Sequence, residues 1–249
     1  MTFLAAVLLS LPVFASAASA PSSDPAASDP PLVAAVKKGD FAGLQSQLSQ
    51  GAVVGAKDQY GWTAVMWAVG HGNAAMVQVL LGAGADAAPG DTPFFNAMLE
   101  AAKGGRSDVV PVLAGRGFNC NAKDALGVPA ISYAAAQVST GTLQALLACK
   151  ANPNAADANG YTPLMRAVQV GQSSSAAYLL ANGARVNARD NHGYTALMWA
   201  AYGGGDAAAK ALLAAGADAS LKGKDGRTAY EIATKRGRTA VAALLPAAP

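Results

Sequence analysis

Asp157-Ala158-Asn159-Gly160-Tyr161-Thr162-Pro163-Leu164-Met165-Arg166-Ala167-Val168 is the stretch from which the rest of the chain can be read. Asp157 and Gly160 suit a turn, because an aspartate can bond the backbone ahead of it and glycine accepts unusual dihedrals. Thr162 can then cap a helix through its hydroxyl, and Pro163 at the first helical position loses no needed N–H. Leu164 and Ala167 lie on one helical face, and alanine there lets a second helix approach closely. Gly171 breaks the first helix. Leu179-Leu180-Ala181-Asn182-Gly183-Ala184 ends the second on its buried side, with Gly183 free to take φ > 0 at the C′ position. Two short helices cannot bury their own apolar face, so the unit needs copies of itself as neighbours.

The copies are present. Asp58, Asp91, Asp124, Asp157 and Asp190 recur every 33 residues. The capping position holds Thr63, Asn96, Pro129, Thr162, Thr195 and Thr228, and an alanine column holds Ala35, Ala68, Ala101, Ala134, Ala167, Ala200 and Ala233. One glycine column contains Gly39, Gly72, Gly105, Gly171, Gly204 and Gly237, broken by Val138. A second contains Gly51, Gly84, Gly117, Gly183 and Gly216, broken by Lys150.

With that period and Thr162-Pro163-Leu164-Met165-Arg166-Ala167, the sequence resembles the ankyrin repeat family, whose 33-residue period it matches and whose T-P-L-H-x-A signature it follows with Met165 in place of the histidine. The resemblance implies an all-α solenoid of stacked helix-turn-helix units with loop fingers, about seven units including partial caps. The units fall near residues 31–57, 58–90, 91–123, 124–156, 157–189, 190–222 and 223–249. Val36-Lys37-Lys38-Gly39-Asp40 at one end and Lys235, Arg236 and Arg238 at the other suit wet terminal faces, with Pro246 ending the last helix. In the unit at Asp91, Phe94 replaces the loop glycine, Asn96 can still cap, and Pro111 falls early in the second helix, where its missing N–H costs little. In the unit at Asp124, the Lys150 position calls for φ > 0 and predicts strain or an altered turn.

Composition sets the wider bounds. Of 249 residues, 52% are hydrophobic, only 6% aromatic and 13% charged, so small apolar residues dominate and wholesale disorder is excluded. A net charge of +3 is too small to argue for nucleic acid, and the basic C-terminal segment reads as a solvated cap. Residues 1–20 read as a signal peptide: Phe3 to Phe14 is apolar but shorter than the roughly 20 residues of a membrane span. Ala15-Ser16-Ala17 and Ala18-Ser19-Ala20 offer cleavage after Ala17 or Ala20, although no Lys or Arg precedes Lys37. Residues 21–30, rich in Pro, Ser and Asp, read as a linker before the repeat domain at 31–249. The expected location is periplasmic or secreted, with no membrane span after cleavage.

The residues that could carry chemistry are few. HExxH, GxSxG, CxxC and P-loop patterns are all missing. Gly82-Ala83-Gly84-Ala85-Asp86-Ala87 fits GxGxxA, but it closes a helix where a dinucleotide fingerprint opens one. Glu100 and Glu231 are the only glutamates, and His71 and His192 sit in unlike positions, so no catalytic residue, cofactor or metal is expected. Cys120 and Cys149 belong to adjacent units. Stacking can bring them together, and in an oxidising compartment they can form a disulfide or remain two thiols.

The resemblance also implies that loop tips and first helices form a concave binding surface, so the expected function is a non-catalytic scaffold for another protein. The candidate contacts are Tyr60, Trp62, His71, Phe95, Tyr161, Tyr194 and Tyr202. Exposed aromatic rings suit interface anchors, but they can equally cover the loop backbone. Trp67 and Trp199 are expected to pack within the core or between units. The alternatives are an accessory factor for a periplasmic enzyme such as an oxidative-defence catalase, by analogy with other bacterial ankyrin proteins, and an immunity or inhibitor protein for a toxin or hydrolase.

Overall fold

A computed structural model of the protein describes residues 29–86, 96–203 and 205–246. The expected signal peptide, the linker up to Ser28, Asp91, Phe94, Phe95 and Gly204 lie outside them. Among the described residues the chain forms helices and no strand, in pairs that follow the repeat. The pairs are α1 Pro31–Lys38 with α2 Phe41–Ser49, α3 Ala64–His71 with α4 Ala74–Gly82, and α5 Ala97–Lys103 with α6 Val109–Gly115. They continue as α7 Ala130–Ala135 with α8 Gly141–Ala148, α9 Pro163–Gln169 with α10 Ser173–Ala181, α11 Ala196–Gly203 with α12 Asp206–Ala214, and α13 Ala229–Lys235 with α14 Thr239–Ala242. The first helices stack on one another from α1 to α13 through α3, α5, α7, α9 and α11, and the second helices form an outer layer.

Packing explains the columns. Ala68, Ala101, Ala134, Ala167 and Ala233 are wholly buried in the first helices, where a larger side chain would push the layers apart. Leu80, Leu113, Leu146, Leu179 and Leu212 form the matching buried column of the second helices. One continuous apolar seam results, which no single unit could build.

The caps vary around one plan. Thr162 Oγ accepts the Met165 N–H at 3.3 Å, and Thr195 does the same for Met198 at 3.4 Å. Thr228 and Glu231 complete a reciprocal capping box. Asn96 caps α5 through the N–H groups of Met98 and Leu99, as its position predicts. Thr63 makes no such bond. Pro111 sits in the first turn of α6, where its missing N–H has no intrahelical partner to lose. Lys150 takes φ 66, and it is the one residue other than glycine with positive φ among those described. At Val138 the chain adopts another solution: α7 ends early, at Ala135, and the valine projects into solvent at 86% exposure.

A second set of bonds holds successive units in register. Asn121, Asn154 and Asn187, themselves spaced by the repeat, each reach into the next unit. Their amides donate to the carbonyls of Lys150, Gly183 and Gly216 at 3.4, 2.9 and 3.3 Å. Their side-chain oxygens accept the N–H groups of Asn152, Arg185 and Asp218 at 2.8, 2.7 and 2.9 Å. Across one of these junctions Cys120 and Cys149 are joined as a disulfide, Cα to Cα 6.3 Å.

Candidate functional site

The loops between units and the first helices share one face, and the loop aspartates build it. In four units the aspartate divides its two oxygens between two tasks. Oδ1 closes the loop by accepting the N–H groups two and four residues ahead: Tyr60 and Trp62 for Asp58, Leu126 and Val128 for Asp124, Asn159 and Tyr161 for Asp157, His192 and Tyr194 for Asp190. Oδ2 faces the first helix and meets the side chain nine residues on. Trp67 Nε1 donates to Asp58 at 2.9 Å and Trp199 Nε1 to Asp190 at 3.0 Å. The Tyr133 hydroxyl donates to Asp124, and the Arg166 guanidinium lies 3.9 Å from Asp157. Helical side chains lean toward the N-terminus of their helix, which brings this position back over the loop.

The last unit has lost both partners together, with Gly223 where the aspartate would stand and Ile232 where the donor would stand. Sequence reasoning explained the aspartates as turn residues and missed the donor. The available signal was the residue nine positions on, which changes type freely but can donate a hydrogen bond in all four clasped units.

Around these clasps the rings gather in two groups. In the first, Trp62 and Trp67 lie 5.1 Å apart between centroids, His71 lies 5.6 Å from Trp67, and the Lys37 ammonium stands over Trp67 at 4.5 Å and Tyr60 at 6.0 Å. Lys37 also bonds Asp29 at 3.0 Å and Asp58 at 2.9 Å. Burial disfavours the charged Asp58, but the Lys37 ammonium and the N–H groups of Trp62, Trp67 and Tyr60 outweigh it and hold the carboxyl below its ordinary range. In the second group Trp199 is the hub, with Tyr161 at 4.9 Å and Tyr194 and Tyr202 each at 5.7 Å. Burial, and then the Tyr194 hydrogen bond to Asp225 at 2.7 Å, push that phenol up to about 12.

The predicted contact residues thus fall into different environments. Tyr60 is 50% exposed. His71 is exposed, and Trp62, Tyr194 and Tyr202 are half-buried. Tyr161 is only 6% exposed, covered by Trp199, so it supports the face from below. Phe95 lies outside the described residues. Trp199 is buried and Trp67 half-buried, both tied to the loop by their indole N–H. Leu126, near the middle of the face, is 70% exposed.

No group of three or more His, Cys, Asp or Glu side chains among the described residues could hold a metal ion, and no described helix is long and apolar enough to cross a membrane. The arrangement offers ordered rings and charges for contact.

A family model described as ankyrin repeats (three copies) matches residues 32–124, 98–190, 131–223 and 187–248. No curated protein matches the chain.

Proposed function

The chain belongs to the ankyrin repeat family, whose members are generally protein-interaction modules, and from that premise we propose that it is a non-catalytic scaffold that binds another protein in the bacterial periplasm. The binding surface is the face of loops and first helices. The observation that carries this reading is the set of rings at Tyr60, Trp62, Tyr194 and Tyr202, which reach solvent while loop and helix bonds hold their backbones in place. A pre-ordered ring loses little conformational freedom on binding, and aromatic side chains dominate interface energetics. Export is supported by the apolar Phe3–Phe14 run with its small-residue cleavage sites. The Cys120–Cys149 pairing also favours an oxidising compartment.

The test uses the full chain expressed in a bacterium, with a photo-crosslinking residue at Tyr60, at Tyr202 or at Ser174 on the outer helix α10. Mature protein with a new N-terminus after Ala17 or Ala20 is expected in the periplasmic fraction. Specific adducts are expected from Tyr60 and Tyr202 and none from Ser174. Replacing Tyr60, Trp62 and Tyr194 together with alanine should abolish adduct formation at Tyr202. Undiminished capture by a folded triple variant, or adducts from Ser174 alone, would move the interface off this face.

A further inference from the structure

We propose that the C-terminal end of this face receives an acidic segment of a protein partner, and that Arg236 is the group that binds its carboxylate. The proposal rests on the protein-binding reading above and adds to it the chemistry of the partner and the residue that selects it.

Four cations among the described residues stand over aromatic rings. Lys37 lies 4.5 Å above Trp67, Lys103 5.2 Å from Tyr133, Arg166 5.5 Å from Tyr161 and Arg236 3.6 Å from Tyr202. The first three also have a carboxylate of the chain itself: Asp29 and Asp58 for Lys37, Glu100 for Lys103 and Asp157 for Arg166. Arg236 makes the closest ring contact of the four, yet it meets no carboxylate among the described residues.

The acidic side chains of its own unit are engaged elsewhere. Asp225 accepts the Tyr194 hydroxyl at 2.7 Å and the Arg227 guanidinium at 3.3 Å. Glu231 folds back onto the Thr228 N–H at 2.7 Å. At the other three positions the chain supplies ring, cation and anion; at this one it supplies ring and cation.

Geometry favours a carboxylate as the missing member. Stacking on Tyr202 occupies a face of the guanidinium and leaves its in-plane N–H edges to donate, the arrangement that takes a carboxylate through two parallel bonds. The stack has a firm base, because Tyr202 touches Trp199, which is buried against Tyr161. Arg236 is exposed, as are the neighbouring Lys235 and Arg238, which add positive charge. The half-buried rings of Tyr194 and Tyr202 give a place for apolar side chains beside the acidic one. The occupant that fits is therefore a peptide segment in which Asp or Glu adjoins aliphatic or aromatic residues.

The experiment selects displayed random linear peptides on the full mature chain, then measures synthetic copies of the selected peptides by fluorescence anisotropy. Each acidic peptide is compared with its Asp→Asn or Glu→Gln counterpart, and the protein with Arg236→Gln, Arg236→Lys, Arg238→Gln and Tyr60→Ala variants. Selected sequences should be rich in Asp and Glu. The amide peptide and Arg236→Gln should each weaken binding about fivefold, the upper size expected for one well-oriented charge pair at an exposed site. Arg236→Lys should recover little of this, because a lysine lacks the planar fork, and Arg238→Gln should change the Kd by less than about twofold.

Equal losses from Arg236→Gln and Arg238→Gln would show general charge attraction and overturn the proposal. So would selected peptides without acidic residues, or no selected peptide at all. Peptides that ignore Arg236 but need Tyr60 would sink this proposal and leave the protein-binding reading standing. Peptides that ignore every substitution on the face would sink both.

Discussion

Asp58 carries more of the structure than any other charged side chain described. Its carboxylate closes the Tyr60–Trp62 loop, bonds the Trp67 indole and bonds Lys37 from the neighbouring unit. Asp58 therefore links loop, helix and neighbour, and the two links made through Oδ2, to Trp67 and Lys37, are the ones that protonation disrupts. The carboxyl is held below its ordinary value of 3.8, so its contribution to stability is full above that value and is lost as pH falls through the lower folded value. Asp58→Asn should cost about 1–3 kcal/mol at neutral pH, since one amide group would face the donors Trp67 and Lys37 with a donor of its own. In urea titrations the gap between wild type and Asp58→Asn should stay constant from about pH 7 to about pH 5 and shrink below about pH 4. A gap of the same size at pH 3 would remove ionisation from the account. The repeat period showed where the aspartates lie. It did not show that each carboxylate has a second oxygen aimed at a helix, because that depends on how loop and helix fold back on each other.

At the scale of the element, the informative positions are those where a column changes residue. Lys150 occupies a left-handed position that the other units assign to glycine. The conformation survives because the next contacts require it: the Lys150 carbonyl accepts the Asn121 amide at 3.4 Å, and Cys149 is bonded to Cys120. Among the described residues, the turn after α8 is the one place where a residue with a side chain takes positive φ. Lys150→Gly should therefore stabilise the protein by about 0.5–1 kcal/mol, less than the full left-handed penalty because glycine also loosens the unfolded chain. A raised urea midpoint with an unchanged slope would show it, and a lowered midpoint would mean that the lysine side chain has a role of its own. Val138 was equally legible as a departure, but its consequence was not. Instead of straining the backbone into positive φ, the chain shortens α7 and changes the turn. Asn121, Asn154 and Asn187 repeat as regularly as the glycines. Their significance appears only when each amide is seen to span two units.

For the whole molecule, stability comes from stacking, so the ends matter as much as the middle. The last unit covers the apolar side of α11 with α13, burying Ile232, Val241 and Leu245. A chain ending at Lys222 would expose the flank of α11 and α12 to water. It should lose about 10 °C in melting temperature and associate on size-exclusion chromatography. A monomeric truncated protein with an unchanged melting temperature would mean that the final unit is dispensable to the seam.

The order of residues along the chain settled the repeat, the helix pairs, the caps at Asn96, Thr162, Thr195 and Thr228, and the buried alanine column, since each follows from a local rule read at a fixed spacing. Tertiary structure alone decided which rings reach solvent. Tyr161 and Tyr194 stand at the same place in successive units, yet one is buried and the other half-buried, because Trp199 from the following unit covers the first. Exposure depends on what a neighbour places overhead, and no periodicity within a unit contains that information.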